Sequence, residues 1–251
     1  MHVRVVVPIA SDRFNHDVES EFIAYAGPGT SVSVTSLDEG PQSIESECEE
    51  ALVVPDFLRK AKAAEQAGCD AIICDCFGDP GVHAAREMVD IPVIGAGESS
   101  MLLAAALGQR FSVATVLPSV FPMLENLARR AGVAEKLGSI RSIDIPVLEL
   151  HDKERMSSAL FALMLQMLEH DQAHALVLGC TGMMGVANNL QSRLAASGFE
   201  VPVVDPVGAA MKLAETMVAL CLRPSRVTYH KPKTYQMSTK LVAASINEHV
   251  I

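Results

Sequence analysis

Tryptophan is absent from this 251-residue chain, and aromatic residues of every kind make up only 4 % of it. Cations are the scarcer charge: 20 Lys and Arg face 30 Asp and Glu, for a net charge of −10. That balance repels a phosphate backbone, and no basic stripe with interleaved aromatics offsets it, so nucleic acid is excluded as a partner. No apolar run reaches the ~18 residues needed to span a bilayer, so no membrane partner is expected. The first residues run straight from Met1-His2-Val3-Arg4 into a strand-like "VRVVVPIA". They lack the long apolar stretch and small-residue cleavage site of a secretory signal, and a cytoplasmic location is expected. Cys-x-x-Cys is missing too, and with it both a thioredoxin-like redox site and the ligand-pair spacing of structural zinc. The six cysteines of a cytosolic chain do not read as a disulfide framework.

What is present is a globular composition, 49 % apolar and 20 % charged, long enough for one large domain or two small ones. It also contains a repeat. "AIICDCFGDPGV" (71–82) matches "ALVLGCTGMMGV" (175–186), pairing Cys76 with Cys180, Gly78 with Gly182 and Gly81 with Gly185 at an offset of 104. "IPVIGAGESSM" (91–101) matches "VPVVDPVGAAM" (201–211) at an offset of 110. Each block reads as apolar strand, glycine turn, helix, second strand beginning Ile-Pro or Val-Pro, and a further helix.

"SVSVTSL" (31–37) and "RFSVATVL" (110–117) add strands. "SECEEALVVPDFLRKAKAAEQAG", "SVFPMLENLARRAG" and "ERMSSALFALMLQMLEH" add helices, the first two ending at Gly68 and Gly132. The last is Met-rich and reads as core or interface. Strands alternating with helices predict an α/β fold with parallel sheets covered on both faces. Two repeats predict two doubly wound domains about a pseudo-two-fold axis: residues 1–97 plus 207–222, and residues 98–206. Residues 223–251 fall outside the repeat and read as a surface arm or tail, or an arm that grips a neighbouring subunit.

Cys76 and Cys180 each lie just past the C-terminal end of an apolar strand, where open parallel sheets bind ligands. Free turn amides and a following helix favour an anion there: the thiolate itself, or a substrate oxygen. Such a setting lowers a thiol's pKa. Two thiols facing one carbon across a cleft suit stereoinversion, with one removing a proton next to a carbonyl and the other returning it from the opposite face. No metal or organic cofactor is required. The alternative is that both are small buried core residues. Cys74 sits two residues before Cys76, one step deeper on the same side of its strand, and reads as core. Cys48, Cys69 and Cys221 lie within or beside helices and read as packing residues.

"CFGDPGVHAARE" (76–87), "PVIGAGESS" (92–100), "GPQSIES" (40–46), "DIPVLEL" (144–150) and "LGCTGM" (178–183) resemble the hydantoin and allantoin racemase branch of the aspartate/glutamate racemase superfamily. The resemblance covers most of residues 1–222. It implies two flavodoxin-like halves, an active site between them, cofactor-independent two-base racemisation of a small molecule, and a homo-oligomer. By position it implies that Cys76 and Cys180 are the catalytic pair. It likewise implies that Phe77, Gly78, Thr181 and Gly182 hold substrate oxygens through backbone amides, that Ser43 contacts substrate, and that Thr115 is a hydroxyl-bearing pocket position. The branch opens with a strand ending Asn-Pro-Asn-Thr-Ser. Here that place reads Val7-Pro8-Ile9-Ala10-Ser11, so Ile9 and Ser11 occupy the substrate-binding positions but both asparagines are gone. Ile9 neither donates nor accepts, which points to a less polar substrate or one gripped differently.

Among the remaining signals, Asp79 before Pro80 reads as the N-cap of the helix that follows. Asp75 is expected to point away from Cys76. Glu98 and Ser99 fit either the cleft border or a helix start. His170 and His174 have i, i+4 spacing but no third ligand. Gly95 and Gly97 form a G-x-G without the third glycine of a dinucleotide fingerprint. The expected activity is racemisation of a hydantoin or allantoin. A superfamily decarboxylase, acidic amino acid racemase or cis-trans isomerase of a small diacid is the alternative, and a non-catalytic small-molecule binding protein the further one.

Overall fold

The computed structural model describes residues 1–232. The first half runs β1 (His2–Val7), α1 (Asn15–Tyr25), β2 (Ser31–Ser36), α2 (Glu47–Gln66), β3 (Ala71–Cys74), α3 (Val82–Met88) and β4 (Val93–Gly95). After α4 (Ala96–Leu107) the second half runs β5 (Phe111–Thr115), α5 (Phe121–Arg130), β6 (Leu137–Ser142), α6 (Lys153–Glu169), β7 (Ala175–Leu178), α7 (Ala187–Ala196) and β8 (Val203–Val204), and α8 (Pro206–Ala219) follows. The strands form two parallel sheets of four, in the orders β2-β1-β3-β4 and β6-β5-β7-β8. The expected α/β architecture with two doubly wound sheets is therefore present.

The central strands β3, "AIIC", and β7, "ALVL", are buried at every residue, which is why they read as unbroken apolar runs rather than as alternating patterns. Parallel strands need crossovers, and the helices supply them. The two helices that end the repeats exchange sheets. Met101, Ala104 and Ala105 of α4 pack with Phe111, Val113 and Val177 of the second sheet. Val207, Ala210, Met211 and Ala214 of α8 pack with Val3, Val5 and Ile73 of the first.

Two elements left no clear trace in the sequence pattern. α1 buries only Val18 and Phe22, too few for a visible stripe. β6 is an edge strand with no fully buried residue, "LGSIRS". It is pinned by Asp171, whose carboxylate accepts from Arg141 Nε at 2.6 Å, Arg141 Nη2 at 2.7 Å and Ser139 Oγ at 2.7 Å. Those bonds hold the Asp171 pKa down at about 2.

Asp79 does cap a helix, but not the one expected. α3 begins only at Val82, after Gly81 in the left-handed region (φ 72°). Asp79 itself has φ 56°, a conformation that Asp tolerates. Its carboxylate reaches across to α4 and accepts from Gly97 N at 2.9 Å and Glu98 N at 2.7 Å. This explains the G-x-G pair. A Cβ on Gly95 would lie 2.2 Å from Asp79 Oδ2, and one on Gly97 would lie 2.0 Å from the Phe77 carbonyl oxygen. Both glycines make room for the turn that carries Cys76. Gly97→Ala should therefore cost about 2 kcal/mol and lower Tm by about 6 °C. A thermal melt checks this, and an unchanged Tm would refute the close-approach reading.

Of the tail, Arg226 Nη1 donates to Arg86 O at 2.8 Å, Lys231 Nζ to Asp90 Oδ2 at 2.5 Å, and the Tyr229 hydroxyl lies 3.2 Å from Arg86 Nη1. Residues 223–232 thus lie along the α3 side of their own chain, and the rest of the expected arm, 233–251, lies outside the described residues. Among the described residues, no helix is long and apolar enough to cross a membrane.

Candidate active site

The two repeat turns have the same construction. Beyond β3, Asp75 N–H extends the ladder to Val6 O at 2.9 Å, and Asp79 N–H closes a turn on Cys76 O at 3.1 Å. Beyond β7, Gly179 N–H bonds Ala114 O at 2.7 Å, and Met183 N–H closes a turn on Cys180 O at 3.1 Å. Gly81 and Gly185 end these turns with φ of 72° and 75°. Among the described residues, the N–H groups of Phe77, Gly78, Thr181 and Gly182 donate to no protein oxygen. Those of Gly78 and Gly182 bear on the sulfurs of Cys76 and Cys180 and favour their charged forms. The helices start at Val82 and Ala187, well past the sulfurs. Of the two anion-holding features expected from the sequence, the turn amides are what an anion meets here, and the helix ends lie farther along the chain.

Both turns open on one cavity of about 550 Å³ between the halves. It is lined by Ile9, Ser43, Cys76, Phe77, Gly78, Thr115, Cys180, Thr181 and Gly182, nine of the ten expected site residues. Ser11 is not among them. Ala10 N–H bonds Pro41 O at 3.0 Å and Ser11 O accepts from Ser36 Oγ at 2.7 Å, so the loop turns Ser11 toward the start of α1. Glu98 and Ser99 are also away from the cavity. Glu98 pairs with Arg86, and Ser99 Oγ bonds Gly95 O at 2.7 Å.

Two of the nine offer less than their side chains suggest. Thr115 Oγ1 donates to Gly179 O at 3.0 Å, so its hydroxyl ties β5 to β7. Phe77 is 3 % exposed, with its ring in the second half's core beside Met101, Met123 and Leu127. Thr181 returns the bridge, its Oγ1 donating to Asp75 O at 3.2 Å. Glu45 Oε1 accepts from Val147 N at 2.7 Å and Glu21 Oε1 from Gly185 N at 2.9 Å, two further ties between the halves. These bonds tie the two cysteine-bearing halves together around the cavity. The remaining wall is mostly apolar, with Val116, Val120, Met123, Leu124, Val147 and Leu150 prominent.

The expected fall in thiol pKa is reversed. Burial pushes Cys76 well above the ordinary thiol value and Cys180 up to about 12. The Gly78 and Gly182 amides oppose that rise without cancelling it, and nearby carboxylates add to it. The physical reason is an apolar cleft in which, among the described residues, no cation bears on either sulfur. Both groups are thiols at neutral pH, and whichever loses its proton becomes a strong base.

The other cysteines divide. Cys74 is fully buried with Sγ 3.8 Å from Pro80 O, and Cys69 is buried. Cys48 and Cys221 are exposed, contrary to their reading as packing residues. Cys48 faces solvent from the first turn of α2, and Cys221 sits just past α8 with φ 56°. Among the described residues, no group of three His, Cys, Asp or Glu is placed to hold a metal.

Sequence reasoning also passed over Asp75. It points away from Cys76 as expected, yet it lines the cavity on the face it shares with Ile73, covered by α1 and α8. It is 6 % exposed, and its Oδ1 has no partner among the described residues.

Residues 3–214 match the family model described as Asp/Glu/hydantoin racemase. The chain is 38 % identical over 238 residues to a hydantoin racemase from a Pseudomonas species, covering 93 % of this chain and 92 % of that one. It is similar in structure to an allantoin racemase from Klebsiella pneumoniae, with a TM-score of 0.88 and 32 % identity over 95 % of this chain and 96 % of that one. A maleate isomerase from Pseudomonas putida, at TM-score 0.66 and 16 % identity over 88 % and 93 % of the two chains, shares the fold.

Proposed function

The chain belongs to the Asp/Glu/hydantoin racemase family, and from that premise we propose that it racemises a 5-substituted hydantoin with an apolar substituent, using Cys76 and Cys180 as its two bases. The observation that carries the reading is the matched pair of amide turns, each presenting one thiol to the same cavity from opposite halves. In one direction a Cys76 thiolate removes the C5 proton. The electron pair moves to the C4 carbonyl oxygen, and the resulting enolate oxygen is held by turn N–H groups. The Cys180 thiol then gives its proton to the opposite face of C5. The product has inverted configuration, and proton exchange with water resets the pair. The enantiomer runs the same path in reverse, and no step calls on a cofactor.

The apolar wall and Ile9, itself 8 % exposed, favour a hydrocarbon substituent over the polar ureido group of allantoin. Racemisation in deuterium oxide tests the whole reading. In a panel of 5-alkyl and 5-benzyl hydantoins, allantoin and small diacids, the ring substrates should invert with deuterium entering at C5, fastest for the apolar hydantoins, and the diacids should be unchanged. No exchange in any hydantoin would overturn it, and carbon dioxide release from a diacid would move the chain to decarboxylation. Ile9→Asn should shift the ratio of kcat/KM toward allantoin by about tenfold, the value of one added hydrogen bond. Competition between allantoin and 5-benzylhydantoin reads that ratio directly, and an unchanged ratio would remove Ile9 from the specificity argument.

A further inference from the structure

We propose that Asp75 recognises the substrate ring, presenting a protonated carboxyl whose O–H and carbonyl pair with one N–H and the adjacent C2 carbonyl of a cyclic ureide. The inference rests on the hydantoin reading above and deepens it. Asp75 lines the cavity, is 6 % exposed, and leaves Oδ1 without a partner among the described residues. A buried polar atom with no partner is costly, and a ligand that supplies one relieves that cost.

The surroundings decide its protonation state. From α1, Glu21 faces it; from the start of α8, Asp205 faces it, with Tyr25 of α1 beside Asp205. Cys180 adjoins it from the second half, and Thr181 bonds its backbone. Lys153 of α6 lines the same cavity and bears on Glu21, and the charged groups among the described residues that bear on Asp75 are the carboxylates Glu21 and Asp205. Burial, opposed by Thr181 and reinforced by those two carboxylates, pushes the Asp75 pKa up to about 7. Glu21 and Asp205 are raised as well, burial again leading.

A neutral carboxyl offers a donor and an acceptor side by side. The cis-amide edge of a five-membered ureide offers the complementary pair, so two hydrogen bonds close one ring. A dicarboxylate offers only acceptors and charge to the same group. The sign of the pH effect follows: the donor is present below pH 7 and lost as the pH rises through it.

The test uses the full chain and 5,5-dimethylhydantoin, which has the ring but no C5 proton to remove. Calorimetry should find the wild-type Kd about tenfold weaker at pH 8 than at pH 6. Asp75→Asn keeps a neutral donor and acceptor, so its Kd should be flat across that range. Asp75→Leu should bind about tenfold more weakly than wild type at pH 6. The inference is overturned if Asp75→Asn keeps the wild-type pH dependence, or if a folded Asp75→Leu matches wild type at pH 6. If Asp75→Leu does not fold, the Asn variant alone decides. Deuterium exchange at C5 by the wild type separates this from the racemase reading: exchange with an unaltered Asn profile removes Asp75 alone, whereas absent exchange removes the substrate class.

Discussion

Cys76→Ala and Cys180→Ala should each lower racemisation by at least about a thousandfold, with the fold intact. A positioned proton-transfer group contributes roughly 10²–10⁴-fold, and on the proposed two-base mechanism a single deletion removes the base or the acid on one face of C5. The losses should not add, because neither thiol inverts a centre alone; the double variant should be about as inactive as either single one. The two variants should still differ in one respect. Each retains a thiol facing one side of C5, so each should exchange the C5 proton of one enantiomer with retention, and the two should choose opposite enantiomers. Chiral chromatography combined with proton NMR in deuterium oxide reads both quantities. Racemisation near the wild-type rate by either variant would end the two-base mechanism. Exchange of both enantiomers by one variant would show that a second base, outside the pair, reaches the same carbon.

The placement of these two cysteines on one cavity was legible in the sequence because repetition encodes it. One cysteine past one strand is ambiguous, whereas Cys76 and Cys180 at an offset of 104, each followed by a matched glycine, specify two copies of one turn. The conformations of Gly81 and Gly185, with φ of 72° and 75°, are the physical content of that match. The sheets were legible for a similar reason: β3 and β7 are buried throughout and carry a strong apolar signal. What the sequence did not disclose depends on partners far along the chain. Asp79 looks like a local cap, but its carboxylate bonds amides 18 and 19 residues away, at Gly97 and Glu98. Ser11 matches a family position, but its loop, which accepts from Ser36 Oγ and donates Ala10 N–H to Pro41 O, turns it out of the cavity. β6 escapes because its anchor is Asp171, whose link to Ser139 and Arg141 has no periodicity. The thiol environment is the clearest instance. A turn of free amides reads locally as a device that lowers pKa, while the apolar walls that reverse the shift come from both halves, Ile9 from the first and Val116, Met123 and Leu150 from the second.

The raised thiols should make kcat strongly pH-dependent. On the proposed mechanism, turnover requires one thiolate and one thiol in the same complex. With Cys180 at about 12 and Cys76 well above its ordinary value, nearly every molecule at neutral pH carries two thiols. The active singly ionised form then grows about tenfold per pH unit, so kcat should rise roughly a hundredfold from pH 6 to pH 8. The sign is opposite to that expected for Asp75, whose ionisation over the same interval weakens ring binding and therefore raises KM. Measuring kcat and KM separately resolves the two: log kcat should climb with unit slope while log KM bends upward near pH 7. Stability should move the other way from kcat. A thiol whose folded pKa is raised contributes its full stabilisation below the unfolded value of about 8.5 and loses it as the pH climbs beyond, so Tm should fall above pH 9 and fall less in Cys76→Ala. A kcat that is flat between pH 6 and pH 8 would mean that substrate binding already yields a thiolate. In that case the ring, by displacing water and exposing its carbonyl to the turn amides, would have to supply the several pKa units by which the empty cavity holds these sulfurs protonated.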